Sequence, residues 1–395
     1  MYEKLGNLLK DAMKKAIDEQ EVMGVNFLVR RGNDEIVYCE EGVSDREAGR
    51  KLNRDTIFRM YSMTKPVTSA AAMILLERGM LELYQPVADI LPAFAKQKVC
   101  RDGQLMTPER PMFINDLLSM TSGLVYPDEQ TIAGLAVGQV YAEAEKRLDS
   151  ENPMSTLEFA DRLAACPLAY TPGSSWQYGT SADVLGAVIE VVSGKKFSQF
   201  LEEEIFRPLG MNDTAFWVPE EKQERLATAY ETVGQGPNKK MIRYEGNNLA
   251  IRNDMKKAPA YEAGGAGLVS TLDDYMKFAR MLQNGGCGNG EQILHTKTVQ
   301  FMTSQSLLPH QQMMMDQWIG LDGFTYGNLM RRCVIPERHR NLCASGEYGW
   351  DGWLGMYFAN FPNEDLTILM GTQKKDSGTF SLTRKLRNIT LGELL

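Results

Sequence analysis

Histidine is scarce in this chain, and the common histidine-based active sites are missing from it. The 395 residues include only three histidines, His295, His310 and His339. None of them stands in an H-x-H, H-E-x-x-H or H-x-x-E-H arrangement, which counts against a His-rich metallohydrolase site. No G-x-S-x-G segment occurs, which counts against an α/β-hydrolase. A hydrolase with this sequence would therefore work without histidine.

Paired cysteines and long apolar runs are lacking as well. The six cysteines are widely spaced without a C-x-x-C pair, so neither a disulfide framework nor a zinc ribbon is indicated. The longest uncharged stretch, Leu163–Ala182, is interrupted by Pro167, Pro172 and Gly173, which excludes a membrane-spanning helix. Apolar residues near the N-terminus recur at helical spacing and do not form the continuous core of a signal peptide. We therefore expect a cytoplasmic protein with no membrane partner.

The charge balance is acidic. Lys and Arg number 43 against 51 Asp and Glu, giving a formal net charge of −8. This balance argues against nucleic acid or an anionic membrane as the main partner. Hydrophobic residues make up 43% and charged residues 24%, values typical of a globular protein. The sequence therefore favours a globular protein, and it indicates no oligomeric state.

The two ends of the chain have matching patterns. A first helix is followed by strand-like runs at Gly24–Arg30 and Glu35–Glu40. Near the other end, strand-like runs at Gly355–Phe361 and Leu366–Thr372 precede a helix that begins at about Thr379. Two helix and hairpin units at opposite ends predict one antiparallel sheet built by both termini, with helices packed on it.

The middle of the chain differs in character. Helical patterns alternate there with Pro/Gly loops, and no internal repeat is present. We predict an α+β fold in which residues 1–90 and 260–395 form a sheet domain flanked by helices. Residues 91–259 are predicted to form a mainly helical insertion domain, with the active site at the junction. The clearest helical patterns in this insertion are Ile114–Met120, Thr156–Ala165 and Ala182–Ser193.

A serine can be activated by lysine when the amine is desolvated enough to be neutral. The sequence contains two S-x-x-K matches, one from Ser62 to Lys65 and one from Ser193 to Lys196. The second lies in Val-Ser-Gly-Lys-Lys at the glycine-bearing end of a predicted helix, where its lysines would be exposed. We interpret that match as a surface turn.

The first match lies at the start of an apolar helix. Pro66 in the first turn places Ser62 at the helix N-terminus, and the i, i+3 spacing places Lys65 on the same face. The positive potential of the helix end favours a neutral lysine and stabilises a developing oxyanion. The alternative is a serine that only caps the helix, with a solvated lysine beside it.

The segment F-R-M-Y-S-M-T-K-P-V at residues 58–67 resembles the nucleophile segment of the serine β-lactamase and penicillin-binding-protein superfamily. The resemblance is to its class C β-lactamase-like branch, which includes family VIII carboxylesterases, amidases and acyltransferases. It continues in the same order along nearly the whole chain, at Leu117–Leu124, Pro172–Tyr178, Asp183–Gly186, Ile205–Met211, Gly264–Thr271 and Tyr348–Gly355.

The resemblance implies a role for individual residues. Ser62 matches the nucleophile and Lys65 its partner, while Tyr178 matches the tyrosine that helps deprotonate the serine and protonate the leaving group. A cationic lysine nearby would favour the phenolate form that a basic tyrosine needs. The backbone N–H groups of Ser62 and Trp353 match the oxyanion hole.

Departures from the family pattern bear on the substrate. Thr180 replaces the asparagine of Y-x-N, and Trp350 replaces the lysine of K-T-G, so two groups that hold a β-lactam are missing. With Asp351 and Gly352 they are the expected substrate-binding residues. We hypothesise that the Asp351 carboxylate biases the site towards neutral or cationic substrates; the alternative is a strand residue that faces solvent or a local lysine.

The resemblance implies a serine hydrolase that forms an acyl-enzyme on Ser62, most simply a carboxylesterase-type enzyme acting on a small ester, amide or lactam. Class C-type β-lactamase, D-amino-acid amidase or peptidase, and acyltransferase activities are alternatives within the same chemistry. A non-catalytic binding protein with the same fold is the alternative from another class. The chemistry needs no metal and no organic cofactor.

Overall fold

Both termini of the chain contribute strands to one eight-stranded antiparallel sheet. The computed structural model describes residues 2–101, 103–234 and 236–395. The strands are β1 Gly24–Arg31, β2 Asp34–Asp45, β3 Arg50–Lys51, β4 Phe58–Arg59, β5 Val99–Arg101, β6 Gln104–Met106, β7 Tyr230–Val233, β8 Lys240–Arg243, β9 Val269–Ser270, β10 Cys287–Gly288, β11 Glu291–Gln292, β12 Phe324–Gly327, β13 Met330–Cys333, β14 Tyr348–Asp351, β15 Tyr357–Phe361 and β16 Leu366–Gly371.

Helices cover the sheet and fill the middle of the chain. The α-helices are α1 Glu3–Asp18, α2 Thr64–Glu77, α3 Ile114–Ser119, α4 Ile132–Arg147, α5 Thr156–Ala164, α6 Ser181–Ser193, α7 Phe197–Leu201, α8 Arg207–Leu209, α9 Leu272–Gln283, α10 Thr296–Ser304, α11 Pro309–Met315 and α12 Ser381–Leu394. A π-helical segment, Glu202–Phe206, joins α7 to α8.

The large sheet has the strand order β12-β13-β14-β15-β16-β1-β2-β3. Its halves meet where β1 pairs antiparallel with β16, from Asn26 opposite Gly371 to Arg31 opposite Leu366. This pairing joins the two hairpins that the sequence places at opposite ends of the chain. The predicted antiparallel sheet flanked by helices is therefore confirmed.

The two terminal helices pack on one face of this sheet. Leu5, Leu9 and Met13 recur along α1 at helical spacing and are buried, together with Leu382 and Leu386 of α12. They pack against apolar side chains of the sheet because one face of each helix is apolar. The other face of the sheet packs against a larger apolar cluster that includes α2, α6 and α9.

The segment between residues 91 and 259 contains α3 to α8 and two short hairpins, β5-β6 and β7-β8. Helix α4 was not among the helices predicted from the sequence. Gly134 and Gly138 interrupt its apolar pattern and lower its helix propensity, and a Cβ at Gly134 would lie 2.0 Å from an Asp128 carboxylate oxygen. Packing against Asp128 therefore requires a glycine at position 134, and this glycine weakens the helical pattern of the sequence.

Among the described residues, no helix combines the length and the apolar character needed to cross a membrane.

Candidate active site

The candidate nucleophile lies where a tight turn runs into a buried helix. Ser62 is part of the 3₁₀ turn Tyr61–Met63, which leads directly into α2. Tyr61, just before it, has a φ of 44°, a left-handed conformation that is unfavourable for a tyrosine. The tightly turned backbone and the buried helix fix the position of Ser62 at the N-terminus of α2.

Lys65 is fully buried one helical turn from Ser62. Its Nζ lies 3.2 Å from Ser62 Oγ, 3.0 Å from the Tyr126 hydroxyl and 2.8 Å from the Gly265 carbonyl oxygen. Burial lowers the pKa of Lys65 to about 7, although the carboxylates of Asp183 and Asp351 act in the opposite direction. A lysine with this pKa is partly neutral near pH 7, so it can accept a proton from a neighbouring hydroxyl.

Tyr178 approaches the same point from the loop that precedes α6. The Lys65 Nζ lies 4.5 Å from the centroid of the Tyr178 ring, and the Trp350 Nε1 donates a hydrogen bond to the Tyr178 hydroxyl at 2.9 Å. Gly179 permits this approach, because a Cβ there would lie 2.1 Å from the Leu124 carbonyl oxygen. The structure thus brings Ser62, Lys65 and Tyr178 together.

The protonation of Tyr178 differs from the sequence-based expectation. Burial raises the pKa of the phenol, and hydrogen bonds with Ser62 and Trp350 act in the opposite direction without offsetting it. The expected phenolate is therefore not favoured. The reason is that burial disfavours charged forms: it favours the neutral amine of Lys65, and it equally favours the neutral phenol of Tyr178.

The end of β14 comes close to the turn that carries Ser62. A Cβ at Gly352 would lie 2.4 Å from the Met60 carbonyl oxygen, so only glycine permits this distance. Within the described part of the chain, nothing accepts a hydrogen bond from the Trp353 backbone N–H. This N–H is available at the strand end that adjoins the Ser62 turn.

These features can be compared with known proteins. The family model described as "Beta-lactamase" matches residues 9–391. This chain belongs to the β-lactamase family. The predicted superfamily and the predicted enzyme class, a serine hydrolase of the β-lactamase fold, are thereby confirmed.

Individual proteins and solved structures are similar to this family member over most of its length. An uncharacterized protein of Mycobacterium tuberculosis is 32% identical over 348 residues, which cover 84% of this chain and 80% of that protein. Esterase EstB of Burkholderia gladioli is 33% identical over 276 residues, which cover 67% of this chain and 66% of the esterase. The structure of EstCE1, described as a hydrolase with promiscuous acyltransferase activity, matches with a TM-score of 0.80 at 25% identity over 98% of each chain.

The residues predicted to bind substrate lie in different environments. Trp350 contacts Tyr178, and Asp351 accepts a hydrogen bond from the Thr379 hydroxyl. Thr180 is fully buried, with its hydroxyl 3.4 Å from the Val125 carbonyl oxygen. This position leaves no accessible surface on the side chain, so the predicted contact of Thr180 with substrate does not follow from the structure.

A cavity of about 750 Å³ adjoins Trp350 and Asp351. Apolar side chains of Trp318, Ile319, Leu321 and Phe324 form part of its wall. The Trp318 ring also packs edge-on against the Tyr178 ring, with centroids 5.2 Å apart. Ser62, Lys65 and Tyr178 are not part of the lining, so the cavity adjoins the candidate catalytic side chains through Trp318 and Trp350. Its wall is apolar in part and also contains Arg331, Arg340, Arg384 and Arg387.

Tyr126 was missed by the sequence reasoning. It follows the family segment Leu117–Leu124 by two residues, and its ring lies 5.7 Å from that of Tyr178. Its hydroxyl is one of the three contacts of the Lys65 amine. The only signal in the sequence was its place just after a family motif, which gives no indication of a contact with Lys65.

The second S-x-x-K match lies away from these side chains. Ser193 ends α6, and Gly194 follows in the left-handed conformation of a helix C-cap. Lys195 forms a partly exposed ion pair with Glu203. This arrangement agrees with the predicted surface turn.

Proposed function

We propose that this protein hydrolyses small carboxylic esters through an acyl-enzyme on Ser62. The observation that carries the proposal is the contact of 3.2 Å between Ser62 Oγ and the buried amine of Lys65, whose pKa is lowered to about 7. A surface lysine would remain charged at neutral pH and could not serve as a base. Lys65, by contrast, can be neutral where the enzyme works.

The first step is attack by the serine. Neutral Lys65 takes the Ser62 hydroxyl proton as the Oγ–carbon bond forms, and the carbonyl π electrons move onto the oxygen. The N–H groups of Ser62 and Trp353 are the proposed donors to this oxyanion, since the strand end and the nucleophile turn lie next to each other. Preorganised donors of this kind stabilise charge that develops only in the transition state.

Tyr178 is proposed as the proton donor to the leaving group. As the tetrahedral intermediate collapses, the bond between carbon and the leaving oxygen breaks, and the phenol proton passes to the leaving alkoxide. The Lys65 ammonium then returns a proton to the Tyr178 phenolate, which restores both groups to their neutral forms. Water repeats the sequence on the acyl-enzyme, releases the acid and restores Ser62.

Esters are favoured over β-lactams because of the residue at position 350. An indole that bonds to Tyr178 stands where the family's β-lactamases carry a lysine, so no ammonium is available there to bind a β-lactam carboxylate. The apolar part of the cavity wall, formed by Trp318, Ile319 and Leu321, suits an uncharged acyl or alcohol group, while arginines line another part of the same wall. Asp351 lines the same cavity, and we keep the hypothesis that it favours neutral or cationic substrates.

The proposal is tested by comparing a p-nitrophenyl butyrate ester with a chromogenic cephalosporin. We expect ester turnover that Ser62→Ala abolishes and that Ser193→Ala, in the second S-x-x-K match, leaves unchanged. Turnover of the cephalosporin well above that of the ester would overturn the preference for esters. Absence of Ser62-dependent turnover of ester, amide and lactam would support a non-catalytic binding protein.

Acyl transfer to an alcohol is a second candidate. EstCE1, which is 25% identical to this chain over 98% of its length, is described as having promiscuous acyltransferase activity. The acyl-enzyme mechanism permits an alcohol to replace water as the acceptor. Adding a primary alcohol to the ester assay and measuring the new ester by chromatography separates the two outcomes.

A further inference from the structure

The Lys65 amine is held on its far side by a glycine pair between two helices. Gly265 accepts a hydrogen bond from Lys65 Nζ at 2.8 Å, and Gly264 accepts one from the Thr68 hydroxyl at 2.6 Å. A Cβ at Gly264 would lie 2.3 Å from the Ala182 carbonyl oxygen. The glycine pair is therefore required for close packing between α2 and α6.

Asp183, in the first turn of α6, anchors this pair from the other side. Its Oδ1 accepts hydrogen bonds from the Gly265 N–H at 3.0 Å and from the Tyr261 hydroxyl at 2.8 Å. A Cβ at Gly265 would lie 2.7 Å from Asp183 Oδ2. The carboxylate thus holds the same residue whose carbonyl faces the Lys65 amine.

The second carboxylate oxygen of Asp183 lacks a hydrogen-bond donor among the described residues. The side chain is 3% exposed, and among the described residues Oδ2 has no hydrogen-bond partner. No cation of the described residues lies within 4.0 Å of this carboxylate. Burial raises the pKa of Asp183, while the Lys65 ammonium and the hydrogen bonds from Tyr261 and Gly265 act in the opposite direction. In its ionised form the carboxylate acts over a longer range than an exposed one, because little water screens it.

We propose that Asp183 is a positioning residue of this site: it fixes the Gly265 carbonyl against Lys65 and supplies the buried negative charge that balances the ammonium form of that lysine. The proposal rests on the proposed role of Lys65 as the base. Asp183 raises the pKa of Lys65 against the stronger lowering by burial, and Asp351 acts in the same direction to a smaller extent.

The remaining titratable groups around Lys65 and Asp183 are tyrosines. Burial raises the pKa values of Tyr126, Tyr141, Tyr178 and Tyr261, so they stay neutral through the range in which Lys65 titrates. Asp351 is the other carboxylate that acts on Lys65. A change in the titration of Lys65 after removal of the Asp183 charge can therefore be assigned to that charge.

The variant Asp183→Asn removes the negative charge and keeps a hydrogen-bond acceptor at this position. Its amide oxygen can still accept from Gly265 and Tyr261, but the negative charge is gone. Because an anion nearby favours the ammonium form, its removal lowers the pKa of Lys65. We expect the acid limb of kcat/KM against pH to move down by about 1 pH unit. Asp274→Asn removes a different buried carboxylate that does not act on Lys65 and should leave the limb in place.

A second measurement follows Lys65 without turnover. In a Ser62→Ala background, the pH dependence of the Lys65 side-chain chemical shift, read by NMR on protein with 13C-labelled lysine and assigned with Lys65→Met, reports the pKa of the amine without access of a reagent to the buried site. We expect Asp183→Asn to shift this titration down by the same amount. A shift without Ser62-dependent ester turnover in the parent enzyme would refute the proposed function alone. An unshifted titration would refute the role of Asp183 alone.

Tyr261→Phe provides the test if Asp183→Asn does not fold. It removes one donor to Oδ1 but keeps the ring that stacks on Phe159 with centroids 4.0 Å apart. Loss of that donor disfavours the charged form of Asp183, so a smaller downward shift of the Lys65 titration is expected. An upward shift, or none, would overturn the proposal.

Discussion

The indole N–H of Trp350 donates to the hydroxyl of Tyr178 at 2.9 Å, and the two rings lie 5.3 Å apart. This contact orients the phenol that we propose as the proton donor, and it uses the position where β-lactamases of the family carry a lysine. In the proposed mechanism Trp350 therefore orients the proton donor. It also leaves the proposed substrate site without the positive charge of that lysine.

Replacing Trp350 by phenylalanine should slow the chemical step. The variant keeps an aromatic ring but loses the hydrogen bond, which is worth about 0.5–1.5 kcal/mol. We expect kcat for p-nitrophenyl butyrate to fall by about 3- to 10-fold. Trp318→Phe is the matched control, since Trp318 contacts Tyr178 only through its ring. An equal loss in both variants would contradict a specific role for the Trp350 N–H.

The activity should rise with pH through a single limb near neutrality. Lys65 must be neutral to accept the Ser62 proton, and burial lowers its pKa to about 7. Activity is therefore low below that pH and reaches a plateau above it. Because the pKa of Tyr178 is raised, deprotonation of the phenol should cause no loss of activity up to pH 9. A profile of kcat/KM from pH 5 to 9 checks both statements, and a profile that is flat over this range, with no acid limb near neutrality, would exclude Lys65 as the titrating base.

Removing the Tyr126 hydroxyl should impair the proposed function of Lys65 as a base. Tyr126→Phe deletes one of the three partners of the amine and keeps the ring that packs near Tyr178. We expect about a 10-fold fall in kcat with little change in KM, because the contact positions the base and not the substrate. Tyr326→Phe is the control, since the buried Tyr326 hydroxyl has no hydrogen-bond partner among the described residues. A change in KM alone would place Tyr126 in substrate binding.

The carboxylate of Asp351 should influence which substrates enter. Asp351→Gly removes a negative charge from the cavity wall. We expect kcat/KM for an ester with a carboxylate in its acyl group to rise several-fold relative to a neutral ester of the same length. An unchanged ratio between the anionic and neutral esters would refute the hypothesis.

The hairpins at the two ends of the chain and their assembly into one antiparallel sheet were predictable, because local patterns there are strong. The strands β12 and β13 and the full strand order were not predicted. Apolar residues recur at helical spacing in α1, and short turns separate the flanking strands, so the hairpins follow from local sequence. Helix α4 was not predictable in the same way. Gly134 and Gly138 weaken its pattern, and only the close approach of Asp128 explains the first of these glycines.

The candidate nucleophile and its neighbours were predictable only in part. The pairing of Ser62 with Lys65 follows from helical spacing, and Tyr178 was assigned by resemblance. The contacts of Lys65 with Tyr126 and Gly265 join residues far apart in the chain, so no local pattern reports them. The neutral state of Tyr178 depends on burial, which the sequence does not show for a single side chain. The division into a sheet domain and a helical insertion stays a prediction.

The most direct test of the central claim is the mass of the intact protein after brief exposure to a slowly hydrolysed ester or a fluorophosphonate. The account predicts a single covalent adduct that peptide mapping places on Ser62, formed faster as the pH rises through about 7. Lys65→Met should slow its formation by at least about 100-fold, as expected for loss of a general base. An adduct on another residue, or equal labelling of Ser62→Ala, would contradict the account.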